Sequence, residues 1–308
     1  MRVTHRMIAG TVNRNLRRNL YELEKKSNQL STGRYFTRPS QDPVGTYKVM
    51  RISGTSLLRN EQFRRNIGEG ITWLTVTEDA LADGIDAVHR LRELAIYSSN
   101  GTLSPEDRET IAPEIKELLQ HLVSLGNTEM GGLYIFGGHQ TQNPPYELIT
   151  DEATGNITGV LYHGDGGQRM VEITPGQMLA INITGEGVFG GSDDPDTPSL
   201  FKAVNDMHKA LLDDNTEALG GEILQELDGY LNRLLQYRAE IGAKTVRLNS
   251  TEERLLDEHL HLQELRSKIE DIDLAELYIE FTMQENAYHA ALSTGARIIF
   301  PSLIDFLR

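Results

Sequence analysis

The sequence contains no cysteine in 308 residues. Disulfide bonds, thiolate metal sites and cysteine nucleophiles are therefore excluded. A chain without thiols also suits an oxidising exterior, because its copies cannot become cross-linked there at random. The absence of cysteine thus favours a protein that works outside the cell.

Long apolar runs are missing as well. No stretch approaches the ~20 continuous apolar residues that a membrane-spanning helix needs. The first residues, Met1–Met7, lack the apolar centre of a secretory signal peptide. We therefore expect no membrane insertion, and we expect that export, if it occurs, proceeds without a cleaved signal peptide.

Patterns typical of catalysis or metal binding are scarce. No Gly-x-Ser-x-Gly motif is present. His259 and His261 stand two residues apart, whereas ligand pairs on a helix need a spacing of three or four. Gly164–Gly167 fits neither a phosphate loop nor a calcium loop and is predicted to be a hairpin turn, and the acidic loop Asp193–Asp196 would attract a cation only weakly. The sequence predicts no enzyme, no cofactor and no metal site.

Apolar residues at helical spacing are what the chain does have, and they lie near both ends. Leucines recur every seven residues from Leu16 to Leu30, and a second row of this kind runs from Ile241 to Ile269. Because such stripes need partner helices, the two ends are expected to pair with each other or with other copies of the chain. The predicted assembly residues are Leu16, Leu20, Leu23, Leu30, Leu277, Phe281, Tyr288, Leu292, Ile299 and Leu303.

Charge is distributed unevenly along the chain. Residues 1–65 hold fourteen Lys or Arg and four Asp or Glu, which is a net charge of +10 within a chain whose total is -15. The basic segment could bind a nucleic acid, but it lacks the interleaved aromatic residues of single-strand binders. Attraction between this basic arm and the acidic helices of the remainder is the favoured interpretation, and no nucleic-acid partner is expected.

The middle of the chain has a different composition. Residues 126–191 hold fifteen of the 28 glycines. A hairpin is predicted from Glu147–Ile149 and Ile157–Tyr162, and alternating strand patterns follow at Val171–Ile173 and Leu179–Ile183. This insert is expected to bury a small core of its own, so that a short linker could replace residues 155–191.

The resulting fold class is mainly α with a β insert. We predict a long coiled-coil helical bundle built from both chain ends, plus a small, mostly β outer domain. Residues 1–45 form an amino-terminal helical arm that is disordered before assembly, and residues 271–308 form the carboxyl-terminal arm. Residues 46–140 and 200–270 form the helical body, and residues 141–199 form the insert.

Capping and proline signals give further local detail. The first helix is predicted from about Ile8 to Leu30, with Gly33 closing it. The two prolines of Arg38–Gly45 predict irregular structure. Ser104 is expected to cap a new helix, in which Pro113 produces a kink.

Segments at both ends resemble the bacterial flagellin superfamily. They are Met1–His5, Asn19–Leu20, Leu30–Arg34 and Ser40–Gly45 at the start, and Arg266–Glu276 and Asn286–Leu292 at the end. Within the superfamily, Leu125–Gly138 resembles the members at the hook-filament junction more than the filament flagellins. Filament flagellin remains the alternative.

The resemblance implies a structural adaptor of the flagellum, exported through the flagellar type III apparatus. The partners it implies are copies of the chain in a ring or tube layer, the hook-side junction protein, flagellin and an export chaperone.

Overall fold

The computed structural model describes residues 5–101, 103–150, 157–191 and 197–299. Helices dominate this part of the chain. They are α1 (His5–Thr32), α2 (Pro43–Arg51), α3 (Leu58–Ser98), α4 (Pro105–Glu109), α5 (Ala112–Gly126), α6 (Gly185–Val188), α7 (Leu200–Leu212), α8 (Thr216–Gly220), α9 (Glu222–Glu270) and α10 (Leu274–Ile299). A π-helical segment, Ile52–Leu57, joins α2 to α3. The predicted mainly α architecture with a β insert is confirmed.

Three antiparallel hairpins form the β part of the described chain, and the first of them precedes the predicted insert. They pair β1 (Glu129–Met130) with β2 (Leu133–Tyr134), β3 (Tyr146–Thr150) with β4 (Ile157–Tyr162), and β5 (Met170–Thr174) with β6 (Gln177–Ala180). The predicted β3–β4 hairpin is therefore confirmed. The Gly164–Gly167 prediction is wrong, because this segment connects two separate hairpins and is not the turn of one.

The side chain of Asp165 explains the conformation of that connection. Its Oδ1 accepts hydrogen bonds from the backbone N–H of His139, at 2.6 Å, and of Gly167, at 3.0 Å. The hydrogen bond from His139 is the main reason why the pKa of Asp165 lies below its ordinary value. A Cβ on Gly138, whose φ is +70°, would collide with Asp165, so this loop pairing requires glycine there.

The chain divides into two compact units. The first, which we call the arm unit, comprises residues 1–61 and 257–308, and the second, the body unit, comprises residues 62–256. Both divisions fall inside long helices, α3 and α9. The domain limits predicted from the sequence stay predictions.

Two heptad rows form the centre of the body unit. One row lies on α3 and the other on α9, and both are almost completely buried. Their members are Ile67, Leu74, Leu81, Val88 and Ala95 on α3, and Leu227, Leu234, Ile241, Leu248 and Leu255 on α9. Ion pairs join the same two helices, from Arg92 to Asp228 at 2.6 Å and from Arg238 to Glu78 at 3.6 Å. Their order along the chain shows that α3 and α9 run antiparallel. The sequence predicts that the α9 row pairs with the other chain end or with other copies. Through Leu255 this row instead belongs to the core of the body unit.

The insert shares that core. Tyr146 of β3 lies 4.8 Å from the Phe201 ring of α7, centroid to centroid, and Asn205 Nδ2 of α7 donates to the carbonyl of Thr158 in β4. Buried residues of the hairpins and of the helices form one continuous cluster. The expectation that the insert buries a separate core is therefore wrong, because two-stranded hairpins bury too little apolar surface by themselves.

Proline positions account for the remaining differences. Pro43 opens α2, with Asp42 Oδ1 accepting from the backbone N–H groups of Val44 and Gly45, so the predicted irregular segment ends earlier than expected. A proline is tolerated there because the first helical N–H has no intrahelical partner. Pro113 does more than kink a helix. It lies in the first turn of α5, after α4 has ended, so the chain forms two helices where one was predicted.

Several local predictions are confirmed. Gly33 follows α1 with φ +69°, and its N–H donates to the carbonyl of Gln29 at 2.8 Å. Ser104 caps α4 and forms a reciprocal capping box with Asp107. In the part of the chain that the structure describes, no helix is long and apolar enough to cross a membrane.

Candidate assembly surface

Helices α1 and α10 of the arm unit pack against each other in opposite directions. Lys26 Nζ lies 2.7 Å from Glu280 Oε2, and Gln284 Nε2 donates to the carbonyl of Asn19. Further along, a Cβ on Gly295 would stand 2.9 Å from Val12 Cγ1, so the two backbones approach closely there. The predicted pairing of the two chain ends is therefore present within one copy.

A short connection that we call the clasp joins the end of α1 to the end of α9. The Tyr35 N–H donates to the Glu270 carbonyl at 2.7 Å, and the Ile272 N–H donates to the Gly33 carbonyl at 3.1 Å. The side chains of Arg34 and Glu270 form an ion pair at 2.8 Å. The clasp thus brings residues from the two ends of the sequence into one small antiparallel bridge.

Charge favours this arrangement. The ion pairs of Lys26 with Glu280 and of Arg34 with Glu270 each join a basic residue of the amino-terminal segment to an acidic residue of the carboxyl-terminal part. The expected attraction between the basic arm and the acidic helices is confirmed at these two positions. Surface pairs of this kind contribute little stability each, typically below about 1 kcal/mol. They therefore affect which helices pair more than they stabilise the pair.

The predicted assembly residues divide into two groups. Six of them are wholly or partly covered, and they are Leu16, Leu23, Leu30, Leu277, Phe281 and Tyr288. Leu20 and Leu292 instead remain 49% and 40% exposed, respectively. The side chain of Ile299 and the whole of Leu303 lie outside the described residues. Most of the predicted assembly residues are therefore covered where α1 packs on α10, and two of the leucines remain exposed.

Further exposed apolar residues lie outside the set of predicted assembly residues. They lie on α2 and on α10, and they are Val44, Tyr47, Met50, Leu274, Tyr278, Ile279 and Met283. The spacing of three between Val44, Tyr47 and Met50 could have indicated the first group. Nothing in the sequence separates Leu274, which is exposed, from Leu277, which is buried. The arm unit accordingly presents exposed apolar side chains on two of its helices, α2 and α10.

The candidate ligand groups do not assemble into a site. His261 is exposed, and the Nε2 atom of His259 lies 2.9 Å from the side-chain amide of Gln263. Among the described residues, no group of three His, Asp or Glu side chains is arranged to hold a metal ion. The acidic loop Asp193–Asp196 lies outside those residues.

The segment Leu125–Gly138, on which the junction resemblance rests, forms the first hairpin. Gly131 and Gly132 have φ values of +62° and +81°, as a two-residue turn between antiparallel strands requires. After the turn, Phe136 is fully buried and packs edge-to-face on Phe189, with the ring centroids 5.3 Å apart. The glycines and the phenylalanine of this segment are thus explained by the fold.

Comparison with known families identifies this architecture. A family profile described as "Bacterial flagellin N-terminal helical region" matches residues 3–141, and one described as "Bacterial flagellin C-terminal helical region" matches residues 224–307. The chain belongs to the bacterial flagellin family. The candidate assembly surface on α2 and α10 lies within these two matched regions.

Within the flagellin family, the chain is similar to hook-associated proteins. It is 26% identical to the flagellar hook-associated protein 3 of Escherichia coli, over 94% of this chain and 95% of that protein. Filament proteins, such as the Bacillus subtilis flagellin, are also among its relatives.

Solved structures show the same fold. A hook-associated protein from Vibrio parahaemolyticus matches with a TM-score of 0.66 at 18% identity, over 75% of this chain and all of that one. Hook-associated protein 3 from Legionella pneumophila matches with a TM-score of 0.62 at 20% identity, over 70% of this chain and 97% of that one.

Proposed function

We propose that this chain is a structural adaptor of the bacterial flagellum, joining the hook-side junction protein to the flagellin filament. The observation that carries the proposal is the similarity to hook-associated protein 3 over nearly the full length of both chains. The role requires a protein that contacts its own copies, one neighbour below and another above. The exposed apolar residues of the arm unit supply surface for such contacts.

Self-association is the physical basis of the role. Contacts between two different surfaces of successive copies generate rings when they close and tubes when they do not. Burying apolar side chains contributes roughly 25 cal/mol per Å² of surface removed from water, so the exposed residues of α2 and α10 provide a driving force for assembly. Catalysis forms no part of this role.

The exposed apolar residues of the arm unit also bear on export and on protection by a chaperone. We infer that the chain leaves the cell through the flagellar type III apparatus and works outside it, on the flagellum. An export chaperone would cover the apolar arm residues until then, because such residues promote premature association. Helices α1 and α10, of which few side chains are fully buried, are the natural target of a chaperone.

Filament flagellin is the alternative function, since flagellins are also related to this chain. Electron microscopy of a strain of the source bacterium that lacks this chain separates the two. Hooks without filaments, together with flagellin in the medium, are the expected result. Missing filaments with a complete junction would instead identify the chain as flagellin, and normal flagella would contradict both assignments.

A further inference from the structure

Helix α2 presents an unpartnered apolar face. Gly45 and Ile52 are buried on one side of it, while Val44, Tyr47 and Met50 point away from the protein. Tyr47 and Met50 are each 65% exposed, as high a value as any large apolar side chain of the arm unit has. A helix face of this kind is costly to leave in water and is typical of a contact surface.

The charged side chains on α2 and on the segment that follows it are basic. Residues 43–60 contain Lys48, Arg51 and Arg59 and no Asp or Glu. Lys48 and Arg51 are exposed, and neither forms an ion pair within the residues that the structure describes. A partner that covers the face would therefore meet two uncompensated positive charges.

Helix α10 presents the opposite combination. Its uncovered side carries Tyr278, Ile279 and Met283, which are all more than half exposed. Residues 271–296 contain five Asp or Glu and no Lys or Arg. Glu276 is exposed and forms no ion pair within the described part of the chain. This face is apolar and acidic where the α2 face is apolar and basic.

We propose that the α2 face of one copy packs on the α10 outer face of the next copy. The inference rests on the proposed function and names the contact through which copies associate. Opposite charges favour this pairing, whereas α2 against α2 would oppose basic groups and α10 against α10 would oppose acidic ones. Because the two faces differ, the contact is heterologous and repeats from copy to copy.

The dimensions of the two faces agree. At 1.5 Å per residue, Val44 to Met50 spans roughly 9 Å of helix, and Tyr278 to Met283 spans roughly 8 Å. Tyr47 lies between Val44 and Met50, so it can cover Ile279 while Met50 or Val44 covers Met283. Lys48 and Arg51 then lie beside the apolar contact, within reach of Glu276.

The absence of cysteine makes the contact testable by directed cross-linking. Met50→Cys and Ile279→Cys copies are expressed together in a strain lacking the native chain, and isolated flagella are treated with an oxidant. We expect disulfide-linked dimers that contain one copy of each variant. Met50→Cys paired with Val246→Cys, another exposed position, is the matched control. Equal yields from the two pairs, or faster linkage of Met50→Cys copies to one another, would overturn the proposal.

Charge reversal provides an independent measurement. Arg51→Glu and Glu276→Arg should each lower incorporation into flagella by about tenfold, and the double variant should recover most of it, because the pair is restored in reversed order. Failure of the double variant to exceed the single ones contradicts the contact. Immunolabelling of the unaltered chain distinguishes a failure of the proposed contact from a failure of the proposed function. If the unaltered chain is found at the junction but the cysteine variants form no such cross-links, this contact is wrong, and absence of the unaltered chain from the flagellum would refute the proposed function itself.

Discussion

The carboxylate of Glu270 lies 2.8 Å from the guanidinium of Arg34, although the two residues belong to opposite ends of the sequence. Glu270 is only 10% exposed, and its carbonyl also accepts the N–H of Tyr35. The pair therefore stands where the clasp closes the arm unit, and its partners come from the ends of two helices, α1 and α9.

Removal of this carboxylate should loosen the clasp. Glu270→Ala leaves Arg34 without its partner, and because Arg34 is half exposed we expect a loss of about 1 kcal/mol. Amide hydrogen exchange should become faster in residues 29–35. Glu264→Ala is the control, because Glu264 pairs with Lys268 on the exposed surface of α9. Equal exchange in the two variants would show that the clasp does not depend on the ion pair.

The purified monomer should be cleaved first at its ends. We expect segments before about Val44 and after about Ile272 to be removed by limited proteolysis, while residues near Ile52 to Leu262 persist as one fragment. The reason is that few side chains of α1 and α10 are fully buried although the two helices pack on each other, and isolated helices gain little stability. Mass spectrometry identifies the fragments. Ends as resistant as the centre would contradict this prediction.

Leu292→Asp should prevent incorporation into the flagellum without unfolding the protein. Leu292 is 40% exposed in the single chain, so the carboxylate remains solvated there and the melting temperature should hardly change. In the assembly a covered carboxylate without a partner would cost several kcal/mol. Ser293→Asp, at the neighbouring exposed position, is the control. Normal swimming of cells carrying only Leu292→Asp would remove this residue from the assembly surface.

Leu277→Asp should behave differently, because Leu277 is buried within the arm unit. Here the charge is forced into a covered position of the monomer itself, so amide exchange in α1 and α10 should become faster than in the unaltered monomer. Hydrogen exchange across α1 and α10 measures the effect. Protection equal to that of the unaltered chain would show that Leu277 is not needed for the monomer.

Replacement of residues 155–191 by a short linker should unfold the body unit. The deletion removes Tyr162, Ile173 and Phe189, which are buried against the helices, and each loss of this kind costs roughly 2–5 kcal/mol. Circular dichroism should show no cooperative thermal transition. Met178→Ser, at an exposed position of β6, should leave that transition in place. A well-folded deletion variant would restore the idea of a separate insert core.

Arg108→Met should destabilise the body unit by about 1–3 kcal/mol. The buried guanidinium donates to the carbonyls of Ser98 and Asn100, at 2.9 and 3.0 Å, and pairs with Asp214, so its loss leaves these acceptors without their donor. Urea unfolding measures the difference. Arg90→Met is the control, because the pairs that Arg90 makes with glutamates are exposed. Equal midpoints for both variants would contradict the role of Arg108.

Much of the helical architecture could be predicted from the sequence. The heptad rows, the capping of α4 by Ser104 and the end of α1 at Gly33 depend on neighbouring residues only, and such local preferences act in any context. The resemblance of both chain ends to flagellins needed nothing beyond residue order, and the family comparison confirmed it.

Only the tertiary structure decided which apolar residues are covered. Leu274 and Leu277 continue the same spacing, yet one faces solvent and the other is buried. Likewise, neither the pairing of Asp165 with the loop at His139 nor the packing of the hairpins on α7 leaves a signal in local sequence. The spacing of apolar residues shows that a helix has an apolar side. Which element covers that side depends on contacts between residues far apart in the chain.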